Sequence, residues 1–190
     1  MSFITSIGAS IFSDLSVYNG TTNDFSTTDT QAEFEALFTT EDATPGATTF
    51  QRLKNIREYP PMGVPPNVVN VPVYGQKSSQ QIQAQSDAPS MEIQLNYVAS
   101  EWAPVAGKIG AMVGDGLQHV FRFTLLNSEP TGTGNTKWAS SAGGIGTREN
   151  ACFYWIGKLD ALMVNPSLSD ATTATLTITV QSKFYGAYTI

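Results

Sequence analysis

Along residues 80–98, "QQIQAQSDAPSMEIQLNYV", polar and apolar positions alternate at period two on both sides of a turn-forming cluster, Asp87-Ala88-Pro89-Ser90. One parity holds Gln81, Gln83 and Gln85, then Glu92, Gln94 and Asn96. The other holds Ile82 and Ala84, then Met91, Ile93, Leu95 and Tyr97. Alternation flanking a turn predicts a β-hairpin. A turn at 87–90 sets Ser86 against Met91, and therefore Gln85 against Glu92, Gln83 against Gln94 and Gln81 against Asn96. Ala84 then meets Ile93 and Ile82 meets Leu95, a sorting of polar and apolar sets that a one-residue slip would destroy. One face of this hairpin is almost wholly amide, where Lys, Thr and Arg are the usual solvating residues.

The same reading runs along the rest of the chain. Residues 1–29 form a polar N-terminal arm or loop with a short apolar start (Phe3, Ile4, Ile7, Ile11, Phe12). "DTQAEFEALF" (29–38) predicts a helix: Thr30 and Glu33 have capping-box spacing, and Phe34, Leu37 and Phe38 share a face. "TTFQRLKNIREY" (48–59) predicts a strand, "PPMGVPP" (60–66) a stiff connector, and "NVVNVPVYGQ" (67–76) a strand leading into the hairpin. A second helix is expected over 100–116, capped by Ser100, with Trp102, Val105, Ala106, Ile109 and Met112 or Val113 on its apolar stripe. Strands follow at 117–126, at 151–164 with an interruption at Gly157, and at 172–185, where Leu176, Ile178 and Val180 alternate with outward Thr and Gln. Together these give a single, mainly β domain over 1–190, an antiparallel sandwich or barrel-like fold with a flanking helix and long loops. The longest loop, 127–150, carries Trp138 near its middle; so large an apolar group in a free loop reads as an interface anchor.

Composition narrows the function more than the fold. Charged residues make up 14% of the chain, against about a quarter in ordinary globular proteins, and Thr, Gly, Ser, Ala and Gln fill the gap. The balance is acidic, 10 basic against 16 acidic residues, and residues 1–51 hold seven acids and no Lys or Arg. Such a chain has no general attraction for a phosphate backbone. The single cysteine, Cys152, excludes an internal disulfide framework. No apolar run is long enough to span a bilayer, and "MSFITSIGAS" lacks a basic n-region, so a soluble protein made in a cytoplasm is expected. Catalytic chemistry is hard to assemble. His119 shares its strand parity with Phe121, Phe123 and Leu125, Cys152 lacks basic neighbours, and no His/Cys cluster has metal-ligand spacing. "TGTGNTK" and "GGIGTR" lack the residues of a phosphate or dinucleotide loop. No enzyme, catalytic residue, metal or cofactor is expected.

The order of elements resembles a known family. It runs from "AEFEALF" and "TTFQRLKNIREYP" through "VNVPVYGQKSSQQIQAQSDAPSMEIQLNYV", "EWAPVAGKIGAMVGDG" and "HVFRFTL", then a Gly-rich loop. It closes with "FYWIGKLDALMVNPSLSDATTATLTITVQSKFYGAY". Over roughly residues 3–187 this resembles the major tail tube proteins of long-tailed, non-contractile bacteriophages (siphophages), the Chi-like, flagellum-targeting group among them. The loop 127–150 and the connector 60–66 are longer than the commonest pattern of that family.

The resemblance implies a structural virion protein that self-assembles into hexameric rings stacked as a hollow tube. It is assembled in the host cytoplasm and ends in the phage tail. The implied partners are other copies of itself, the tape measure protein and phage DNA in the lumen without sequence-specific binding, and other tail proteins at the tube ends. No membrane is involved. A lumen also explains the amides: Lys and Arg would release counterions and hold the DNA, whereas Gln and Asn hydrate it without a cation. Gln81, Gln83, Gln85, Glu92, Gln94 and Asn96 are thus expected to face the lumen. The hairpin strands are expected to add edge to edge between neighbours. The loop 127–150 and the N-terminal segment are expected to join one ring to the next, with Trp138, Thr136, Lys137, Phe3 and Ile4 at contacts between subunits or rings. The rival readings are a β-sandwich binding or adhesion module, which would cluster exposed aromatics, an enzyme using Cys152 with His119 as a nucleophile pair, and another tail or capsid component.

Overall fold

The computed structural model describes residues 13–20, 24–39, 50–63, 67–71, 74–75, 80–84, 89–106, 108–126, 129–131, 137–139 and 151–186. The fold is mainly β and antiparallel. Ten strands are described: β1 Asp14–Tyr18, β2 Phe50–Arg52, β3 Ile56–Glu58, β4 Asn67–Val71, β5 Gln80–Ala84, β6 Ser90–Asn96, β7 His119–Leu125, β8 Ala151–Asn165, β9 Thr173–Val180 and β10 Tyr185–Gly186. Two helices, α1 Gln31–Leu37 and α2 Ile109–Met112, complete the described elements. The main sheet has the order β2-β1-β7-β8-β9-β6-β3, with β10 pairing on β8, while β4 and β5 form a separate two-stranded sheet.

The two ends of that order are consecutive in the chain. Only Leu53–Asn55 separate β2 from β3. Seven strands laid flat would set their outer members about 29 Å apart, at about 4.8 Å per step. Four Cα–Cα steps, from Arg52 to Ile56, reach at most about 15 Å. The sheet therefore has to roll until its edges approach, although no ladder joins β2 to β3. The corner is visible in the backbone: the Leu53 N–H donates to the Leu15 carbonyl on β1 (2.7 Å), and two residues later the Asn55 carbonyl accepts from Asn96 on β6 (2.9 Å). Asn55 makes the turn at φ +61°, a left-handed conformation that Asn tolerates better than most side chains.

Rolling creates two cores. Leu15 and Val17 of β1, Phe121 of β7, Trp155 of β8, Ile93 and Leu95 of β6, and Leu176 and Ile178 of β9 meet in the first. The second lies on the other face of β1, β7 and the first half of β8, where Phe34 and Phe38 of the α1 region, Phe50, Val120, Tyr154, Ile156 and Trp138 pack together. Helix α1 sits there because its N-terminus closes as the spacing predicts: Thr30 Oγ1 accepts from Glu33 N–H, and the Glu33 carboxylate accepts from Thr30 N–H at 3.0 Å. Strands β1 and β7 are buried on both faces, whereas β6 and β9 bury every second residue only. Among the described residues, half of the sheet is clad and half is bare.

Several sequence expectations are corrected here. The 80–98 hairpin does not form. β5 pairs with β4 (Val71 opposite Gln80, Asn67 opposite Ala84), and β6 pairs with β9 over seven positions, Met91 opposite Ile178, Ile93 opposite Leu176 and Leu95 opposite Ala174. The long apolar face of β9 buries more of β6 than Ile82 and Ala84 of β5 could. The arm expected through residue 29 is a sheet strand at Asp14–Tyr18. The 48–59 strand is split at the corner. The 100–116 helix shrinks to Ile109–Met112, because Pro104 cannot donate and the chain folds back on itself. A Cβ at Gly110 would lie 2.3 Å from the Trp102 carbonyl oxygen. The 151–164 strand runs unbroken through Gly157, and its register shifts instead between Leu159 and Ala161.

Gly157 is needed for closeness rather than for a break: an added Cβ would stand 2.8 Å from the Thr179 carbonyl oxygen and 3.3 Å from the Phe121 ring. Gly157→Ala is expected to lower unfolding stability by about 1–3 kcal/mol through overpacking. An unchanged urea midpoint would refute that tight approach.

Candidate functional site: the bare face and free edge of the sheet

Strands β3, β6, β9 and the second half of β8 make a four-stranded sector with the first core on one face only. On the opposite face β6 presents Ser90, Glu92, Gln94 and Asn96, all exposed. Beside them stand Thr179, Thr177, Thr175 and Thr173 of β9, in register one for one. β8 continues the rows with Lys158, Ala161, Met163 and Asn165. Glu58 of β3 lies opposite Gln94 and is exposed. The Thr179 hydroxyl donates to the Asp160 carboxylate in the β8 bulge. The face is thus neutral hydroxyl and amide for the most part, with Glu58, Glu92 and Asp160 beside Lys158, and with Arg57 exposed at the β3 register shift.

Of the six residues expected to share a face, Glu92, Gln94 and Asn96 are brought together. Gln81 and Gln83 lie on β5, in the separate sheet, opposite Asn70 and Val68. Gln85 falls outside the described residues. The β9 threonines were missed as members of the site. Their outward alternation is plain in "TTATLTITV", but only the β6–β9 register sets it beside the β6 amides.

The sector also has an unpaired edge. The β7 ladder on β8 ends at His119–Gly157, and the Gly114 N–H covers the Leu159 carbonyl at 2.7 Å. From Asp160 to Asn165 no described strand pairs with that side of β8. Apolar groups gather toward its end: Met163 is 63% exposed, Val164 41%, and Leu168, in the β8–β9 turn, fully so. Open strand edges that carry apolar residues invite pairing with another chain.

Trp138 is placed differently from the expectation. It is 8% exposed and belongs to the second core, so in the folded subunit it is not an anchor free for a partner. The Arg52 guanidinium lies 3.4 Å from its ring centroid, and Arg122 Nη2 donates to its carbonyl at 2.8 Å. A cation stacked on the indole and a buried donor on the backbone outcompete the solvated loop. Lys137 pairs with Glu129 of its own chain. Thr136, Phe3 and Ile4 lie outside the described residues.

Beneath Trp138 is a buried ionic network. Asp14 accepts from Arg52 Nε at 2.6 Å and lies 3.8 Å from Arg122 Nη2, and the Ser16 hydroxyl donates to its carboxylate. Arg122 is wholly buried against the Phe38 and Phe50 rings, 4.7 and 4.6 Å from their centroids. Burial pulls its pKa down, and Asp14 opposes that. Cys152 is buried too, which pushes its thiol up to about 11. It sits opposite Thr124, whereas His119 sits opposite Gly157 and bonds Asp115 at 3.0 Å. Five ladder positions, about 17 Å, separate the two. The structure does not assemble a Cys–His pair. Among the described residues no helix is long and apolar enough to cross a membrane, and no cluster could hold a metal ion.

Tyr59 joins this network to the corner: its hydroxyl donates to the Ser13 carbonyl at 2.5 Å. Burial, and then the Asp14 charge, push its pKa from 10.0 to about 12. An unfolded tyrosine ionises near 10, so the folded state keeps a proton that the unfolded chain loses. The stability that Tyr59 contributes is complete below pH 10 and is lost as pH rises through about 12. Denaturation measured across that window is expected to show the decline in the parent protein, and Tyr59→Phe should flatten it. An equal decline in both would assign the loss to other groups.

No protein-family model and no curated protein matches this chain, so the functional reading rests on its own residues and geometry.

Proposed function

We propose that the protein is a structural subunit of a siphophage tail tube, assembling into stacked rings, hexameric by the resemblance, around a lumen for DNA. The observation that carries the reading is the four-stranded sector: cored on one side, bare and mostly uncharged on the other, and open at an edge. Its strands alternate in direction, so β3 and β8 at its two ends run oppositely. A rotation about a ring axis preserves strand direction, so the β8 edge of one copy meets β3 of the next antiparallel, the more stable pairing. The bare faces of successive copies then line one channel. There Gln94, Asn96 and the β9 threonines hydrate the passing duplex, and Glu58, Glu92 and Asp160 deter tight binding. Tape measure and tail-end proteins would contact the same lumen and the tube ends. The virion is the proposed location, and the reading calls for no catalytic group or cofactor.

A carbohydrate-binding or adhesion module draws less support. Trp102, Trp138 and Trp155 are all buried, at 7%, 8% and 0% exposure, which removes the aromatic platform such a module uses.

Electron microscopy of the concentrated protein is expected to show hollow tubes of stacked rings; a monodisperse monomer at every salt and concentration would overturn the proposal. Within tubes, Glu58→Cys with Met163→Cys should cross-link neighbours into a ladder of oligomers under mild oxidation. Tubes that form but never cross-link would place the junction elsewhere.

The lumen assignment has its own test. Gln94→Lys with Thr175→Lys and Thr177→Lys should leave tubes intact, since the changed side chains lie on the bare face. Each phosphate contact so created makes DNA binding steeper in salt, with a slope near one per contact. Particles carrying the triple variant are expected to eject DNA more slowly, by at least about tenfold at low salt. Ejection at the parental rate would remove this face from the lumen.

A further inference from the structure

The contacts around Trp138 are unevenly built, and the unevenness points to a moving part. Its carbonyl is held by Arg122, which is 0% exposed and fixed among Asp14, Ser16, Phe38 and Phe50. Its ring is held by Arg52, whose side chain is 21% exposed and whose Nε also donates to Asp14 at 2.6 Å. One grip is buried in the core and the other reaches it from the rim. Lys137, next in the chain, touches the protein through an exposed pair with Glu129.

We propose that Arg52 and Arg122 form a two-point strap holding Lys137–Ala139 onto the β1–β2–β7 surface, and that the Arg52–indole stack is where the strap opens. The opening is local. Arg52 keeps its carboxylate partner, so releasing the ring forfeits the cation–π contact and the burial of the indole without stranding a charge. Breaking the Arg122 grip first would take an acceptor from a fully buried cation, which is more costly than releasing a ring at the rim. Opening therefore proceeds from the Arg52 side, while the sheet and Asp14 stay in place. The device depends on no assembly and stands apart from the tail tube reading.

Trypsin reads it directly, because the bond it would cut, Lys137–Trp138, lies inside the strap. When opening is fast relative to cleavage, the cleavage rate follows the open population. Arg52→Gln in the full-length protein is expected to speed cleavage at Lys137–Trp138 by about tenfold, equivalent to about 1.4 kcal/mol. Cleavage after Lys158, within β8, monitors global unfolding, and any acceleration there, from the partner that buried Asp14 loses, should be smaller than that at Lys137. Arg52→Lys, which keeps the charge but loses the planar stack, should fall between the two and covers the case in which Arg52→Gln does not fold. Parental cleavage at Lys137 in the variants that fold, or acceleration at Lys158 equal to that at Lys137, would overturn the strap.

Discussion

Three residues, Leu53–Asn55, impose the constraint on which the rest of the structure depends. They tie the first and last strands of a seven-strand order within a reach that a flat sheet exceeds about twofold. The roll that follows gives the sheet an inside, where Leu15, Phe121, Trp155, Ile93 and Leu176 meet across strands remote in sequence. It also sets the conditions for everything outside. A rolled sheet has one continuous outer face, and among the described residues the further apolar material, chiefly α1 and Trp138, covers half of it.

The division into clad and bare halves has a cost on the clad side. Alternation on β1 and β7 puts Asp14, Ser16, Arg122 and Thr124 under the second core, where each needs a partner. The chain meets that need by concentrating the charges: two arginines share one carboxylate, and the aromatic rings of Phe38, Phe50 and Trp138 lie against the guanidinium planes. Removing one member would strand the others, so the network is more a device for uniqueness of packing than a source of net stability. It fixes which face of β7 is outward and where the Trp138 segment docks. On the bare half no such demand exists, and hydroxyls and amides suffice.

A face of that kind suits a surface that must stay wet beside a polyanion. A free edge next to it suits extension by copies of the same sheet. The tube reading gains its force from the two lying together on β8, β9 and β6, since either alone is common in β proteins.

Much of this was legible in the chain. The Thr30–Glu33 spacing determined the start of α1, because a capping box is satisfied within four residues. Alternation at 90–96 and 173–180 determined which residues of β6 and β9 turn inward, because side-chain direction follows from backbone pleat alone. What local pattern could not decide was partnership. β6 has the same parity whether it pairs with β5 or β9, and only the comparison of apolar faces between residues remote in the chain, such as Ile93 and Leu176, selects β9. β1 was hidden because a strand buried on both faces beneath a charged network reads as polar loop: Asp14 and Ser16 look solvated until Arg122, more than a hundred residues away, arrives opposite them. Trp138 misled for the same reason. A tryptophan in a Gly-rich stretch reads as exposed, and its shelter consists of Arg52 and Arg122, two cations whose place beside it is set by the rolled sheet.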